Sequence, residues 1–308
     1  MFGDGHVDFS MRTDQGRVRD HNEDFVAFHL PSGPEEESQN GQLYIVADGV
    51  GGSDAGEVAS RYATERTIHH FLANSAMDDW GERLRQAMLT ANTELRKLSG
   101  SQYQGLRMAT TMVATVLHDD QATLANVGDS RAYHWRTGVI RQITKDQSLV
   151  ARLLEEGAIT EQEAANHPRK NVILHSLGSE SAPEIDLYEV DLLPGEMLVL
   201  CSDGLTRHVS DAEIANAVGA MPTAEATETL IQLANSRGGE DNISVAVLSI
   251  GEQPAASLPD SISAPRMVSG VKTLPDGAHA RRAMWIYTAI LCAVQVLLIV
   301  LIWNLVNS

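Results

Sequence analysis

Seven short runs of apolar and β-branched residues restrict this chain to a fold built around β-strands. Turn residues bound each run, and the runs are LYIVAD, TTMVATVLHD, QATLANVGD, RAYHWRT, IDLYEVDL, EMLVLCSD and NISVAVLSI. Three of them, at 110–119, 121–129 and 131–137, are joined by short turns, which favours antiparallel pairing over crossover helices. The sequence therefore predicts a mixed α+β domain rather than a doubly wound sheet.

Helical stretches are predicted between and after these strands. They cover 55–73, 79–98, 146–156, 161–166, 211–219 and 223–236. Two of them begin with capping boxes, Thr160 with Glu163 and Ser210 with Glu213, in which each pair satisfies free amides of the first turn. These boxes predict helix starts at residues 161 and 211.

Composition and charge exclude several classes of protein. The chain has 308 residues, 43% of them hydrophobic, which suffices for one large domain and an appendage. Its net charge of −18 argues against nucleic acid as a partner and favours attraction of divalent cations. The cysteines, Cys201 and Cys292, have no C-x-x-C partner, so neither a disulfide framework nor a cysteine zinc site is expected. A reducing compartment fits this cysteine usage.

An apolar stretch without charges covers residues 285–306. A helix of about 22 residues is about 33 Å long, which is enough to cross the hydrocarbon core of a bilayer. Arg281 and Arg282 precede the stretch and no basic residue follows it, which predicts that the rest of the chain is cytoplasmic. We therefore expect a single-pass membrane anchor over 281–308. A buried or oligomerising helix is the alternative.

The remaining chain divides into two parts. Residues 251–280 are rich in Pro, Ser, Ala and Gly and have no helical or strand period, which predicts a flexible linker. Residues 1–250 contain all the predicted strands and all the predicted helices apart from the membrane anchor, and they form the expected globular domain. No signal peptide is expected, because MFGDGHVDFSMRTDQG lacks an apolar core.

Four predicted strands carry an aspartate at one end. Asp48, Asp129 and Asp203 follow their strands, and Asp241 precedes NISVAV. Each of them alone is most simply a turn residue. Four carboxylates that converge at a sheet edge would repel each other unless cations neutralised them, and oxygen ligands without histidine suit Mg²⁺ or Mn²⁺. The pattern therefore predicts a divalent metal site.

The glycines after Asp48 indicate how its side chain is presented. Gly49, Gly51 and Gly52 permit positive φ and let the backbone approach a ligand closely. A turn of this kind would direct the carboxylate of Asp48 and the next carbonyl group toward one metal.

A further acidic motif, RVRDHNED, lies near the N-terminus. Glu23 and Asp24 add carboxylates immediately before the apolar strand FVAF, and Arg19 precedes them. The planar fork of an arginine matches the oxygens of a phosphoryl group, so Arg19 is a candidate phosphate ligand. A surface ion pair of little energetic value is the alternative.

Six motifs occur together in one order: RVRDHNED, VADGVGG followed by AGEVAS, ATTMVA, ANVGDSRAY, CSDGLTRHVSDAEI and RGGEDNISVAVL. Over residues 7–250 the chain resembles the PP2C-family (PPM-type) metal-dependent protein serine/threonine phosphatases of bacteria. The resemblance implies an α+β fold with a central PP2C-like β-sandwich of two antiparallel sheets flanked by α-helices. It also implies hydrolysis of phosphoserine and phosphothreonine by a water that two divalent cations, Mn²⁺ or Mg²⁺, activate.

The resemblance implies a set of metal ligands. Asp48 matches the aspartate that bridges both cations, and the carbonyl of Gly49 matches a second ligand. Asp203 and Asp241 match the other carboxylates of one metal. Asp129 together with Asp203 matches the site of a third, weaker cation.

Residues of the N-terminal motif complete the implied site. Glu23 and Asp24 match an acidic pair that contacts the metals partly through water. Arg19 matches the arginine that binds the substrate phosphate. Arg19, Asp48 and Asp203 are thus the expected catalytic residues.

Two positions depart from the family pattern. Relatives place a histidine, a proposed acid for the leaving group, within or just after the glycine turn, where this chain has Val50 and Ser53. His21 or a water on the metal are the alternatives for that role. In the region that forms a mobile flap in the family, Arg169 and Lys170 are expected either to meet an acidic phosphopeptide or to form a solvated basic turn.

The expected partners are phosphoproteins, among them a bacterial Ser/Thr kinase and its substrates at the inner face of the membrane. One alternative is a membrane-tethered pseudophosphatase that binds phosphoproteins without turnover. Another is a phosphatase of a partner-switching pathway that acts on the phosphoserine of an anti-anti-sigma-like protein.

Overall fold

Two antiparallel β-sheets stack face to face in the computed structural model, which describes residues 7–51, 54–102, 108–251 and 266–267. The strands are β1 (Val7–Asp14), β2 (Asp24–His29), β3 (Gln42–Val50), β4 (Ala109–Thr110), β5 (Met112–His118), β6 (Gln121–Val127), β7 (Arg131–Arg136), β8 (Val139–Gln142), β9 (Asp186–Asp191), β10 (Glu196–Cys201), β11 (Ile243–Ile250) and β12 (Arg266–Met267). The helices are α1 (Pro34–Asn40), α2 (Asp54–Ala73), α3 (Trp80–Gln102), α4 (Leu149–Glu155), α5 (Glu161–Ala165), α6 (Asp203–Thr206), α7 (Asp211–Ala220) and α8 (Thr223–Ser236).

The two sheets have different strand orders, and both are antiparallel. One runs β1-β11-β10-β7-β8, and the other runs β12-β9-β6-β5-β3-β2 with β4 attached to β3. Every described strand pair is antiparallel. The implied sandwich of two antiparallel sheets is therefore confirmed.

Alternation along the strands produces helix–sheet–sheet–helix layers. In β10, Leu198 lies between the sheets and Val199 packs with residues of α7 and α8. In β3, Tyr44 lies between the sheets and Leu43 packs with residues of α2 and α3. Because successive side chains of a strand point to opposite faces, strands covered on both sides are apolar throughout, as their sequences are.

Most predicted elements are present, but one predicted pairing is wrong. The runs at 110–119 and 121–129 pair as β5 and β6, as expected. The next strand, β7, pairs with β10 in the other sheet instead of with β6. Gly128, with φ of 102°, lies in the short connection and redirects the chain from one sheet to the other. Strands β1 and β8 and helices α1 and α6 were not predicted from the sequence.

Both predicted capping boxes are present. The amide of Thr160 donates to Glu163 Oε2 over 2.8 Å, and the amide of Glu163 donates to Thr160 Oγ1 over 3.3 Å. The amide of Ser210 donates to Glu213 Oε2 over 3.0 Å. These local bonds explain why helix starts at Glu161 and Asp211 were predictable from sequence.

The segment predicted as a linker contains a short strand. Arg266 and Met267 pair with Glu189 and Tyr188 of β9, whose backbone would otherwise form the edge of the sheet. The expected membrane helix at 285–306 lies outside the described residues. Within the described ranges, no helix combines the length and apolar character needed to span a bilayer.

Candidate metal centre

Acidic residues from both sheets meet at one end of the sandwich. Asp24 opens β2 and lies directly opposite Asp48 of β3. Asp129 follows β6, Asp203 is the first residue of α6 after β10, and Asp241 lies just before β11. The structure thus brings together the aspartates that the sequence singled out. Their roles as metal ligands stay predictions.

Burial raises the pKa of the carboxyl groups of Asp24, Asp48, Asp129 and Asp203. It raises the pKa of Asp24 to about 7, although hydrogen bonds from Ser244 and Ser202 oppose the shift. Burial, followed by the charge of Asp203, raises the pKa of Asp129 to about 8. The pKa of Asp48 rises well above its usual value because of burial and then the nearby Asp24. Positive charge nearby would stabilise the ionised form of these buried carboxyl groups.

The donor chemistry of the cluster fits divalent cations. The described hydrogen bonds leave three buried carboxylate oxygens without a partner, Asp24 Oδ1, Asp129 Oδ1 and Asp203 Oδ1. Buried polar atoms are nearly always bonded, and carboxylate oxygens are the ligands that Mg²⁺ and similar ions take. Among the described residues, no three Asp, Glu, His or Cys side chains are already arranged so that they could together hold one metal ion. The fit therefore rests on oxygen chemistry and burial.

Gly49 and Gly56 make room for the cluster. Strand β3 continues through Val50, so Asp48 lies within a strand and not directly before a turn, and residues 52 and 53 of the predicted glycine turn lie outside the described residues. A Cβ on Gly49 would lie 2.4 Å from the carbonyl oxygen of Gly56 and 2.5 Å from that of Glu23. Gly49 is not among the glycines with positive φ. Its requirement is thus close backbone approach, as predicted, and not left-handed φ.

Two polar residues that sequence reasoning missed hold the acidic ones in place. Ser202 Oγ donates to Asp24 Oδ2 over 2.8 Å and accepts from the amide of Ser244 over 2.9 Å. Asn242 Oδ1 accepts from the amide of Glu23 over 2.8 Å. Their only sequence signal is position, since each is adjacent to one of the aspartates.

Asn242 also fastens the N-terminal motif to β11. Its Nδ2 donates to the carbonyl oxygens of Gln15 and His21, each over 2.9 Å. The loop between these residues carries Arg19, whose Nη2 lies 2.8 Å from Asp241 Oδ1. The side chain of Arg19 is 46% exposed, so it connects the cluster with solvent. Arg19 therefore lies at the acidic cluster, and its role as a phosphate ligand stays a prediction.

A second arginine, Arg207, enters the cluster and was not predicted. Its Nε donates to Asp203 Oδ2 over 3.0 Å, and its Nη1 lies 3.2 Å from Asp241 Oδ2. Asp203 and Arg207 are four residues apart, which is the spacing of neighbours on a helix. That signal was hidden because the four-residue helix α6 is too short to show a period.

A cavity of 430 Å³ lies beside the cluster. Asp129, Asp203 and Arg207 line one part of it, and Lys170 and Asn171 line another. Of the two basic residues predicted beside the site, Lys170 is thus at the cavity, whereas Arg169 is not among its lining residues. His21 is exposed and Ser53 lies outside the described residues, so the leaving-group acid stays unassigned.

Comparison with known proteins places the chain in a family. The family model of protein phosphatase 2C matches residues 20–244, starting one residue after Arg19. The serine/threonine phosphatase stp of Listeria monocytogenes is 40% identical over 247 residues, which cover 78% of this chain and 94% of that protein. The crystal structure of the Mycobacterium tuberculosis serine/threonine phosphatase PstP/Ppp has a TM-score of 0.71 and 33% identity, with coverage of 80% of this chain and 99% of the other.

One solved relative bears on the acidic cluster. The catalytic domain of the serine/threonine protein phosphatase PstP, in a complex with two manganese ions, has a TM-score of 0.68 and 32% identity. That comparison covers 80% of this chain and 99% of the other. The fold, the matched range and these relatives show that the chain belongs to the protein phosphatase 2C family and is a bacterial-type, metal-dependent phosphoprotein phosphatase.

Proposed function

We propose that this chain hydrolyses phosphoserine and phosphothreonine in proteins with two divalent cations, Mn²⁺ or Mg²⁺, as cofactors. The observation that carries the proposal is the set of buried carboxylate oxygens without hydrogen-bond partners on Asp24, Asp129 and Asp203. A relative of this family binds two manganese ions, which supports the same cofactors here. The oxygen ligands of the acidic cluster and the two manganese ions of a related structure therefore both support a binuclear metal centre.

The residues of the cluster would divide the work of holding the cations. Asp48, the carbonyl of Gly49, Asp203 and Asp241 are the main ligands. Glu23 and Asp24 contact the cations partly through water, and Asp129 shares a third, weaker cation with Asp203. When bound, the two central cations lower the pKa of a water for attack and neutralise charge on the phosphoryl oxygens.

Arg19 would orient the substrate phosphate. It is anchored to Asp241 and half-exposed, so its guanidinium reaches from the cluster toward an incoming phosphoprotein. Two parallel N–H···O bonds from a guanidinium set both the position and the orientation of a phosphoryl group. Asn242 supports this role, because it fastens both ends of the loop that carries Arg19.

The test is the hydrolysis of a phosphothreonine peptide and a phosphotyrosine peptide by the full-length chain, with Mn²⁺, Mg²⁺ or EDTA. We expect metal-dependent release that favours phosphothreonine, and a loss of roughly 100-fold or more in Asp203→Asn. Asp211→Asn, at the exposed start of α7, is the matched control and should keep its activity. A folded chain that binds Mn²⁺ without turnover would contradict hydrolysis and indicate a phosphoprotein-binding protein.

We further propose that the catalytic domain works at the inner face of a membrane against a Ser/Thr kinase. The uncharged stretch at 285–306 and the preceding Arg281 and Arg282 support this location. Tethering on one surface would raise the effective concentration of phosphatase and kinase for each other. We expect the full-length chain to resist alkaline extraction from membranes. We also expect the trapped substrates to include proteins that a membrane kinase phosphorylates. A chain that is released by alkali, or that traps only soluble proteins unconnected to a kinase, would contradict it.

A further inference from the structure

The proposed reaction assigns no function to Arg207, whose guanidinium contacts Asp203 and Asp241. Arg207 follows α6 and folds back by one helical turn onto Asp203, the first residue of that helix. Its Nε and Nη2 both donate to Asp203 Oδ2, and its Nη1 lies 3.2 Å from Asp241 Oδ2. Both sides of the guanidinium are thus engaged by carboxylates that are expected to hold metal.

The pairing with Arg207 uses only part of Asp203. The guanidinium occupies Oδ2, whereas Oδ1 is buried and has no partner among the described hydrogen bonds. Asp241 is likewise shared, since its Oδ1 accepts from the amide of Asn242 over 3.0 Å and lies 2.8 Å from Arg19 Nη2. A cation that requires Asp203 Oδ2 must therefore displace the arginine.

We propose that Arg207 is a counter-ion that competes with divalent cations for Asp203 and Asp241. This competition lowers the cation affinity of the weakest site, which Asp129 and Asp203 share. The inference rests on the proposed function. An arginine is always charged, so it repels a cation bound to the same carboxylate and must give up its own ion pair. In the absence of a cation it neutralises buried charge that would otherwise destabilise the fold.

A role for Arg207 as a second phosphate ligand is less well supported. An arginine that binds phosphate presents two N–H groups of one edge to the phosphoryl oxygens. Here the Nε edge already faces Asp203 and the opposite end faces Asp241. Arg19, in contrast, is half-exposed and extends into solvent. The geometry thus favours competition with cations over contact with substrate.

The test is Mn²⁺ binding to the full-length chain, measured by calorimetry, for the wild type, Arg207→Gln, Arg207→Lys and Arg237→Gln. The control residue, Arg237, pairs with Glu213 on the exposed surface. We expect Arg207→Gln to tighten the weakest class of Mn²⁺ sites roughly tenfold, as removal of one close positive charge should. Arg207→Lys should lie between wild type and Arg207→Gln, and Arg237→Gln should bind as the wild type does.

Thermal unfolding supplies a second readout. In EDTA, Arg207→Gln should unfold at a lower temperature than the wild type, and saturating Mn²⁺ should remove the difference. Unchanged or weaker Mn²⁺ binding by Arg207→Gln would overturn the proposal, as would a raised KM for phosphopeptide at unchanged Mn²⁺ affinity. If Arg207→Gln does not fold, an Mn²⁺ affinity of Arg207→Lys equal to that of the wild type overturns it. Absence of Mn²⁺ binding by the wild type itself would overturn the proposed function as well.

Discussion

Asp24 and Asp48 lie directly opposite each other on the neighbouring strands β2 and β3. Like charges in that relationship destabilise a sheet, and burial of both carboxyl groups increases the cost. Burial raises the pKa of each, with the charge of Asp24 adding to the shift at Asp48. Protons or cations that reduce the negative charge of this pair should therefore stabilise the fold.

Stability in a chelator should fall as pH rises. The pKa values of Asp24 and Asp129 are raised to about 7 and about 8 from a usual value of 3.8, so the folded chain binds protons that the unfolded chain releases. This contribution is complete below about pH 4 and is lost as pH rises through the folded-state values. We expect the unfolding temperature in EDTA to decrease from about pH 5 to about pH 9.

Cations should remove this pH dependence, because they favour the ionised carboxylates. Thermal unfolding with saturating Mn²⁺ should give a flatter profile over the same range. Asp24→Asn should also reduce the slope in EDTA, since it removes one of the titrating groups. An unfolding temperature in EDTA that does not change with pH would contradict the shifted pKa values.

Replacement of Asn242 should impair catalysis more than stability alone explains. Asn242→Ala removes the bonds to Gln15, His21 and Glu23. The loss of these buried hydrogen bonds should cost roughly 2 kcal/mol. The released loop carries Arg19, so we expect kcat/KM to fall by roughly tenfold or more, measured with a phosphothreonine peptide.

Asn92 provides a matched control for that variant. It is also a buried asparagine that holds a loop, through bonds to Gly178, Glu180 and Ser181. Asn92→Ala should lower the unfolding temperature to a similar extent while kcat/KM stays near that of the wild type. Equal loss of activity in both variants would indicate a general effect of destabilisation.

A methyl group on Gly56 should disturb the metal centre without weakening its helix. A Cβ at this position of α2 would lie 2.7 Å from Glu23 Cδ and 2.8 Å from its Oε1. Gly56→Ala should displace the carboxylate of Glu23 and lower Mn²⁺ affinity by roughly tenfold, as loss of support around a metal does. Calorimetric titration with Mn²⁺ measures the effect.

Gly100, in α3, is the control for the change from glycine to alanine. A Cβ there would meet no atom within 4 Å. Gly100→Ala should therefore raise the free energy of unfolding by about 0.5–1 kcal/mol and leave Mn²⁺ binding unchanged. Normal Mn²⁺ affinity in Gly56→Ala would mean that Glu23 does not need its present position.

Arg83 should be essential for stability although it is remote in sequence from the aspartates. Its side chain is fully buried, lies over the ring of Phe71, and donates to the carbonyl oxygens of Phe71 and Gln39 near the ends of α2 and α1. Arg83→Met should lower the free energy of unfolding by roughly 3 kcal/mol, because it leaves buried acceptors unpaired. Urea unfolding followed by circular dichroism measures the change.

Arg85 lies two positions along the same helix and forms a partly exposed pair with Glu82. Arg85→Met should cost less than about 1 kcal/mol, the usual value of such a pair. A similar loss in both variants would contradict the role of buried carbonyl bonds at Arg83.

Local patterns were sufficient to predict most strands and helices and the principal acidic residues. The apolar run 43–47 precedes Asp48, and the boxes at Thr160 and Ser210 act within four residues. Such features depend on side-chain alternation and on bonds within one helical turn, so sequence displays them directly. The family motifs then identified which aspartates to group together.

Features that depend on distant parts of the chain were missed or misassigned. The turn at Gly128 was expected to form a hairpin, but it connects the two sheets. Gly56 had no predicted role, and only the packing of α2 against β2 places it beside Glu23. Asn242 is 219 residues from Glu23 in sequence, yet its Oδ1 accepts from the amide of that residue.

The sequence is therefore sufficient to identify the acidic residues, because each lies at or near the end of a strand that local patterns predict. Their convergence, and the entry of Arg207 between Asp203 and Asp241, come from the folded molecule. Strand pairing between remote segments and packing between layers decide which charges share a buried space. Strand pairing and layer packing depend on the burial of whole surfaces, so no short stretch of sequence predicts them.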